Sequence, residues 1–257
     1  FMGARKVTRR LEELTEAAHA LGEGHPMPPH IATSRFREIK TLGHSFAHMQ
    51  EQIENRTAQL EVTRLDVVRR LAQAGEFRDN ETGRHLDRMS RYAVMLAEAL
   101  GKDAAYCDNL GWAAPLHDIG KLAIADSILL KPGKLTPEEY EAMKVHPRVG
   151  AALLEGGGFE LLDLARNVAI SHHEKWDGSG YPLGLAGEEI PFEGRVVAVA
   201  DVFDALTSPR PYKPAWDIER AADLIKNEAG KHFDPEIVRV FLTILEPVAA
   251  VARQLHD

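Results

Sequence analysis

Apolar residues recur at three- and four-residue intervals along most of this 257-residue chain. No stretch alternates apolar and polar residues convincingly enough to read as a strand, so the spacing predicts an all-α protein. The segment closest to a strand is RVVAVADVFDAL, Arg195 to Leu206, whose apolar start runs unbroken into alanine- and leucine-rich helical spacing. It is read as a helix. In LTPEEY, Thr136 is an N-cap, Pro137 takes the first helical position and two acids follow at the positive end of the dipole. HFDPEIV offers a second start at Asp234 and Pro235, and EEYEAMKVHP reads as a helix closed at His146 by Pro147.

The first 75 residues carry a different pattern. Val7, Leu11, Leu14, Ala18 and Leu21 form one heptad seam, and Ile39, Leu42, Phe46, Met49 and Ile53 form another. The second continues less cleanly through Thr57, Leu60, Val67 and Leu71, and GEGHPMPPHIATSR breaks the chain between them. Short seams cannot bury themselves alone, so they are expected to pack as a bundle by dimerisation. The layout, with ALGEGHPMP and REIKTLGHSFAHMQEQI, resembles a HAMP domain, the parallel four-helix signal relay of bacterial receptors. Two departures stand out: no proline occurs near Arg10, and the usual acidic pair is Arg37-Glu38. The expected organisation is a HAMP-like relay over 1–56, a connecting helix over 57–72 and one compact helical domain over 73–257.

Charge narrows the partners. With 31 basic against 39 acidic residues the net charge is −8, which argues against a DNA or RNA polymer but leaves room for a local basic pocket. Cys107 is the single cysteine, so neither an internal disulfide nor a cysteine zinc site is available. No apolar run reaches the ~18 residues of a spanning helix. Phe1 precedes Met2 without a signal peptide, which reads as the edge of a longer protein. The expectation is a cytoplasmic domain of an inner-membrane sensor.

The chemistry lies in histidines and carboxylates placed in apolar surroundings. Glu81 and His85 are four apart and share a helix face, although alone they fit a surface hydrogen bond better than a metal site. His117 and Asp118 follow apolar GWAAPL, where an ionised carboxylate needs a positive partner. His146 lies at a helix end. His172 and His173 close the apolar LARNVAISHHE, and because adjacent helical residues diverge by about 100°, a shared grip on one ion requires the helix to fray there. Asp201 and Asp204 interrupt VAVADVFDAL. Nitrogen and carboxylate donors without thiolate suit iron, manganese, zinc or nickel.

Residues 73–257 resemble the HD-GYP domain, the cyclic di-GMP phosphodiesterase branch of the HD phosphohydrolases. The resemblance rests on RDNETGRH, LHDIGKLAI, ILLKPGKLTPEE, HHEKWDGSGYPLGLAGEEIP and ADVFDALTSPRPYK. It implies an HD-type helical bundle with two or three divalent ions, iron or manganese foremost. His85, His117, Asp118 and Asp201 would form one site, and His146, His172 and His173 would hold a second ion bridged by Asp118, with Glu81 available to a third. Lys121 would face the reacting phosphate, with Gly180, Tyr181, Arg210 and Lys213 at the substrate. Trp176 or Tyr181 could pack on a base. The implied activity is hydrolysis of cyclic di-GMP to pGpG or GMP by a homodimer under control of the relay. Rival readings are another cyclic dinucleotide as substrate, a non-catalytic cyclic di-GMP receptor, and a mixed-valence iron oxygenase on the same scaffold.

Overall fold

The computed structural model describes residues 8, 9, 12, 15, 16, 19, 37–76, 78, 83–156, 158–209 and 214–255. The chain divides into two compact units, Phe1–Asp66 and Val67–Asp257. The residues of the first heptad seam lie outside the described residues. The second lies on helix α1, Arg37–Glu76. Within the first unit Leu42, Met49, Ile53 and Leu60 remain 42–70% exposed. This is the pattern of a seam whose burial is not supplied by its own helix.

Among the described residues the second unit is built from helices, with one isolated bridge between Ala229 and Phe233. After the last turns of α1 come α2 (Gly83–Ala99), α3 (Ala104–Ala113), α4 (Asp126–Leu129), α5 (Pro137–Met143) and α6 (His146–Leu153). They are followed by α7 (Glu160–Ser171), α8 (Phe192–Thr207), α9 (Ile218–Asn227), α10 (Pro235–Thr243) and α11 (Leu245–Gln254). Between α3 and α4 the chain makes two 3₁₀ turns, Ala114–Leu116 and Ile119–Ala123.

Helix α8 is the axis of this unit. Val196, Val197, Ala198, Val199, Ala200 and Phe203 are all buried, so the middle of this helix lies in the interior over most of its circumference. Its valines and alanines, strand-like in sequence, let α2 and α7 pack closely on it. Helix α2 turns Leu86, Met89, Ala93, Leu96 and Ala97 inward at three- and four-residue spacing. Tyr92 meets Phe203 edge-on at 5.5 Å, and Phe203 meets Phe241 of α10 at 5.2 Å.

The expected helix starts are present. Thr136 caps α5 through a capping box with Glu139, and Asp234 accepts from Glu236 and Ile237 at the start of α10. One reading needs correction. His146 does not close a helix: α5 stops at Met143, and His146 opens α6 with Pro147 in its first turn. Proline is at home there, because a first-turn N–H has no intrahelical partner to lose.

Candidate metal centre

Two clusters of ligand-type side chains form on these elements. His85, His117 and Asp201 make one, and Asp118, His146, His172 and His173 the other; in each, one ligand atom per residue lies within 4.8 Å of the rest. Five parts of the chain deliver them: α2, the paired 3₁₀ turns, the start of α6, the end of α7, and α8.

Helix α2 brings His85, whose Nδ1 lies 2.7 Å from Asp204 Oδ2. Asp204 is three residues beyond Asp201 on α8, so one face of α8 supplies both a member of the first cluster and the carboxylate that orients another. Asp204 is buried, and Arg88 neutralises it with Nε at 2.6 Å and Nη2 at 3.0 Å. Burial would raise the Asp204 carboxyl, but hydrogen bonds from His85 and Arg88 bring it below its ordinary value. Arg88 also donates to the Leu255 carbonyl at 2.8 Å, tying this network to the end of α11.

The 3₁₀ turns place His117 and Asp118 beside the start of α6. Gly120 makes that approach possible: a Cβ there would sit 1.9 Å from the His146 carbonyl oxygen and 2.5 Å from Gly150 N. Only glycine lets the HDIGK turn press against α6. His172 and His173 follow the last residue of α7, and their rings lie 4.0 Å apart between centroids. Leaving the helix at this point lets adjacent histidines converge.

The ring nitrogens are sorted by their outer partners. His117 Nδ1 lies 3.1 Å from the Ala114 carbonyl, His146 Nδ1 2.8 Å from that of Met143, and His172 Nδ1 3.1 Å from those of Val168 and Ala169. A carbonyl only accepts, so each Nδ1 carries the hydrogen and each neutral ring turns an Nε2 lone pair inward. Burial lowers the His172 and His173 imidazoles, which favours the neutral form.

The inward atoms would repel one another without a cation between them. His146 Nε2 lies 3.0 Å and His172 Nε2 3.5 Å from Asp118 Oδ1, and the two nitrogens are 3.4 Å apart. The buried Oδ1 accepts no well-aligned hydrogen bond. Donors on one ion at about 2.1 Å stand roughly 3.0–3.4 Å apart, so the residues fit a metal. Asp118 turns its other oxygen the opposite way: Oδ2 lies 3.2 Å from His117 Nε2 and 2.8 Å from Lys121 Nζ. The carboxylate thus offers one oxygen to each cluster. Burial opposes its charge, but the Lys121 ammonium beside it helps to outweigh that, and Asp118 is held well below the usual carboxylate range.

The glycine-rich loop covers the second cluster. Tyr181 lies against His173 with centroids 4.7 Å apart, and Tyr140 stands edge-on to Tyr181 at 6.4 Å. Lys144 lies 4.8 Å from the Tyr140 ring centre and 5.6 Å from that of Tyr181. Buried Glu174 organises the loop by accepting from Leu183, Gly184 and Leu185 N–H at 2.6, 3.2 and 3.1 Å. Glycine is required at 180 for an internal reason, since a Cβ would strike Lys175 N at 2.3 Å and Glu174 Cα at 2.5 Å. Trp176 is engaged within the fold: its backbone N–H donates to the His232 carbonyl and Arg195 lies 5.8 Å from its ring centre.

The residues expected at the site divide accordingly. His85, His117, Asp118, Lys121, His146, His172, His173, Asp201, Gly180 and Tyr181 are described in this region, whereas Glu81, Arg210 and Lys213 lie outside the described residues. Arg88 and Glu174 are the groups that sequence reading missed. A glutamate beside paired histidines offers a faint signal, and Arg88, three residues beyond His85, offers none before its partner is known.

The fold and the site define a helical protein with two adjoining histidine–aspartate clusters joined at one carboxylate. Residues 66–237 match the HD domain and residues 2–55 the HAMP domain, and the chain belongs to the HD domain family. A cyclic di-GMP phosphodiesterase of Vibrio cholerae serotype O1 is 44% identical over 222 residues, covering 81% of this chain and 45% of that protein. The cyclic di-GMP phosphodiesterase response regulator RpfG of Xanthomonas campestris pv. campestris is 50% identical over 177 residues, covering 69% and 47%. The chain therefore spans under half the length of these two relatives. In fold it is similar to the crystal structure of a cyclic GMP-AMP-specific phosphodiesterase of V. cholerae, with TM-score 0.54 and 17% identity over 74% of this chain and 52% of that one.

Proposed function

We propose that this chain hydrolyses cyclic di-GMP to pGpG, GMP or both, with Asp118 shared between two divalent ions. The observation that carries this reading is the placement of Asp118, one oxygen facing His146 and His172 and the other facing His117 and Lys121. Divalent cations held there would acidify water and offset the negative charge that builds on a phosphodiester in reaction. His85, His117 and Asp201 would hold the first ion, and His146, His172 and His173 the second. Lys121 presents an ammonium group beside the shared carboxylate, where it would draw in a phosphate and stabilise its charge. Tyr181, packed on His173, gives the substrate a flat wall, and Arg210 and Lys213 are assigned to the substrate phosphate by resemblance. The donor set, nitrogen and carboxylate without thiolate, is compatible with iron or manganese. The HAMP match and the exposed seam of α1 support a homodimer that passes a signal from a membrane-anchored sensor.

The test is a product assay. Metal-loaded protein is incubated separately with cyclic di-GMP and with 3′3′-cyclic GMP-AMP, and the products are resolved by chromatography. Formation of pGpG or GMP from cyclic di-GMP is expected. A tenfold preference for the GMP-AMP ring would reassign the substrate, and no cleavage of either by fully loaded protein would refute the hydrolase reading.

A further inference from the structure

The HDIGK turn carries both the shared carboxylate and the lysine, yet it is only a short 3₁₀ segment. Besides the bonds inside the turn, Lys121 N–H donates to the Asp118 carbonyl at 2.9 Å at its start and Ile124 N–H to the Lys121 carbonyl at 3.0 Å at its end. Among the described residues, no backbone N–H outside the turn donates to the Leu122 or Ile124 carbonyl at its end. Arg78 supplies the donors. Its Nη1 lies 3.2 Å from the Lys121 carbonyl and 2.6 Å from that of Leu122, and its Nη2 lies 2.9 Å from that of Ile124. Nη2 also meets the Asp126 carboxylate, which is 71% exposed and so adds little of its own.

Arg78 stands two residues beyond Glu76, the last residue of α1. One turn earlier, Gly75 lies close to the same segment, where a Cβ would be 3.5 Å from Ile119 Cα. The end of α1 therefore grips the HDIGK turn twice, once by close packing and once by a planar fork of donors. A guanidinium suits the second grip because its N–H groups diverge in one rigid plane toward several acceptors, which a lysine ammonium does not reproduce.

We propose that Arg78 is a positioning residue: it holds the 118–124 turn in register and thereby sets Asp118 and Lys121 for catalysis. The catalytic part of this inference rests on the hydrolase reading, whereas the grip on the turn does not. Any rotation of the last turns of α1 would pass to those carbonyls and shift the turn that carries the shared ligand.

The experiment compares wild type, Arg78→Ala, Arg78→Lys and Asp126→Asn, each metal-loaded, by steady-state kinetics and by amide hydrogen exchange. Arg78→Ala is expected to lower kcat by roughly 10–100-fold, the range for groups that support metal ligands, with KM changed less than about threefold. Exchange should accelerate at the Lys121 and Ile124 amides and stay unchanged through α8. Arg78→Lys should fall between, and it keeps the test usable if the alanine variant folds poorly. Asp126→Asn, which retains the carbonyl contacts, should remain near wild type in both readouts. Unchanged exchange in Arg78→Ala, or faster exchange with kcat intact, would overturn the proposal. If wild type cleaves neither nucleotide the hydrolase reading fails, and the exchange result alone decides whether Arg78 holds the turn.

Discussion

At the scale of single residues, the site depends on charges whose partners lie far away in sequence. Asp204 stands in an apolar stretch and is legible as a buried carboxylate in need of a counterion. The counterion, Arg88, is 116 residues distant, and no spacing rule could pair them. The same holds for Asp201 and Asp204, which read alike: only the fold brings the first into a cluster with His85 and His117 and sets the second against His85 Nδ1. Asp204→Asn should therefore damage the protein in two ways. It leaves Arg88 buried without a full counter-charge, which should cost about 3 kcal/mol, and it weakens the acceptor that orients His85. For a domain of this size that corresponds to a fall in Tm of roughly 6–12 °C by calorimetry, accompanied by lower metal content. An unchanged Tm would show that Arg88 finds another partner.

At the scale of elements, the two histidine–aspartate clusters exist because weak pieces of chain are pressed together. Sequence reading picked out the members of both clusters because the histidines and carboxylates sit in apolar runs, and it anticipated that His172 and His173 must leave their helix to converge. It misplaced His146 because proline both stops a helix and starts one, and the local sequence does not say which. Nor did it find why Gly120 is glycine, since the clash lies with α6, distant in sequence. Gly120→Ala should force the HDIGK turn away from His146, giving metal content well below wild type by elemental analysis. A fully loaded variant would mean that α6 can retreat. The loop over the second cluster depends on Glu174, whose carboxylate accepts three backbone N–H groups. Glu174→Gln offers fewer acceptor sites and should loosen the wall formed by Tyr181. The expected signature is a KM several-fold higher with kcat less affected, measured in the cyclic di-GMP assay; a selective loss of kcat would instead place Glu174 closer to the chemistry.

At the scale of the whole molecule, the all-helical architecture was legible because the apolar period is 3.6 almost throughout, and a strand-like start at Val196 yields to the helical spacing that follows. The seam on α1 was legible for the same reason, and its Leu42, Met49, Ile53 and Leu60 remain exposed in the first unit. Removing residues 1–66 is expected to convert a dimer into a monomer by sedimentation and to change kcat; identical mass and rate in both forms would leave the HAMP-matching segment without a regulatory role. The most direct test joins metal and turnover in one sample. Anaerobically purified protein is measured for bound metal by elemental analysis and for cyclic di-GMP hydrolysis, before and after chelation. Two or three iron or manganese ions per chain, with pGpG or GMP formed and lost on chelation, is the expected result. Full loading with tight binding of cyclic di-GMP and no turnover would contradict it and mark the chain as a receptor.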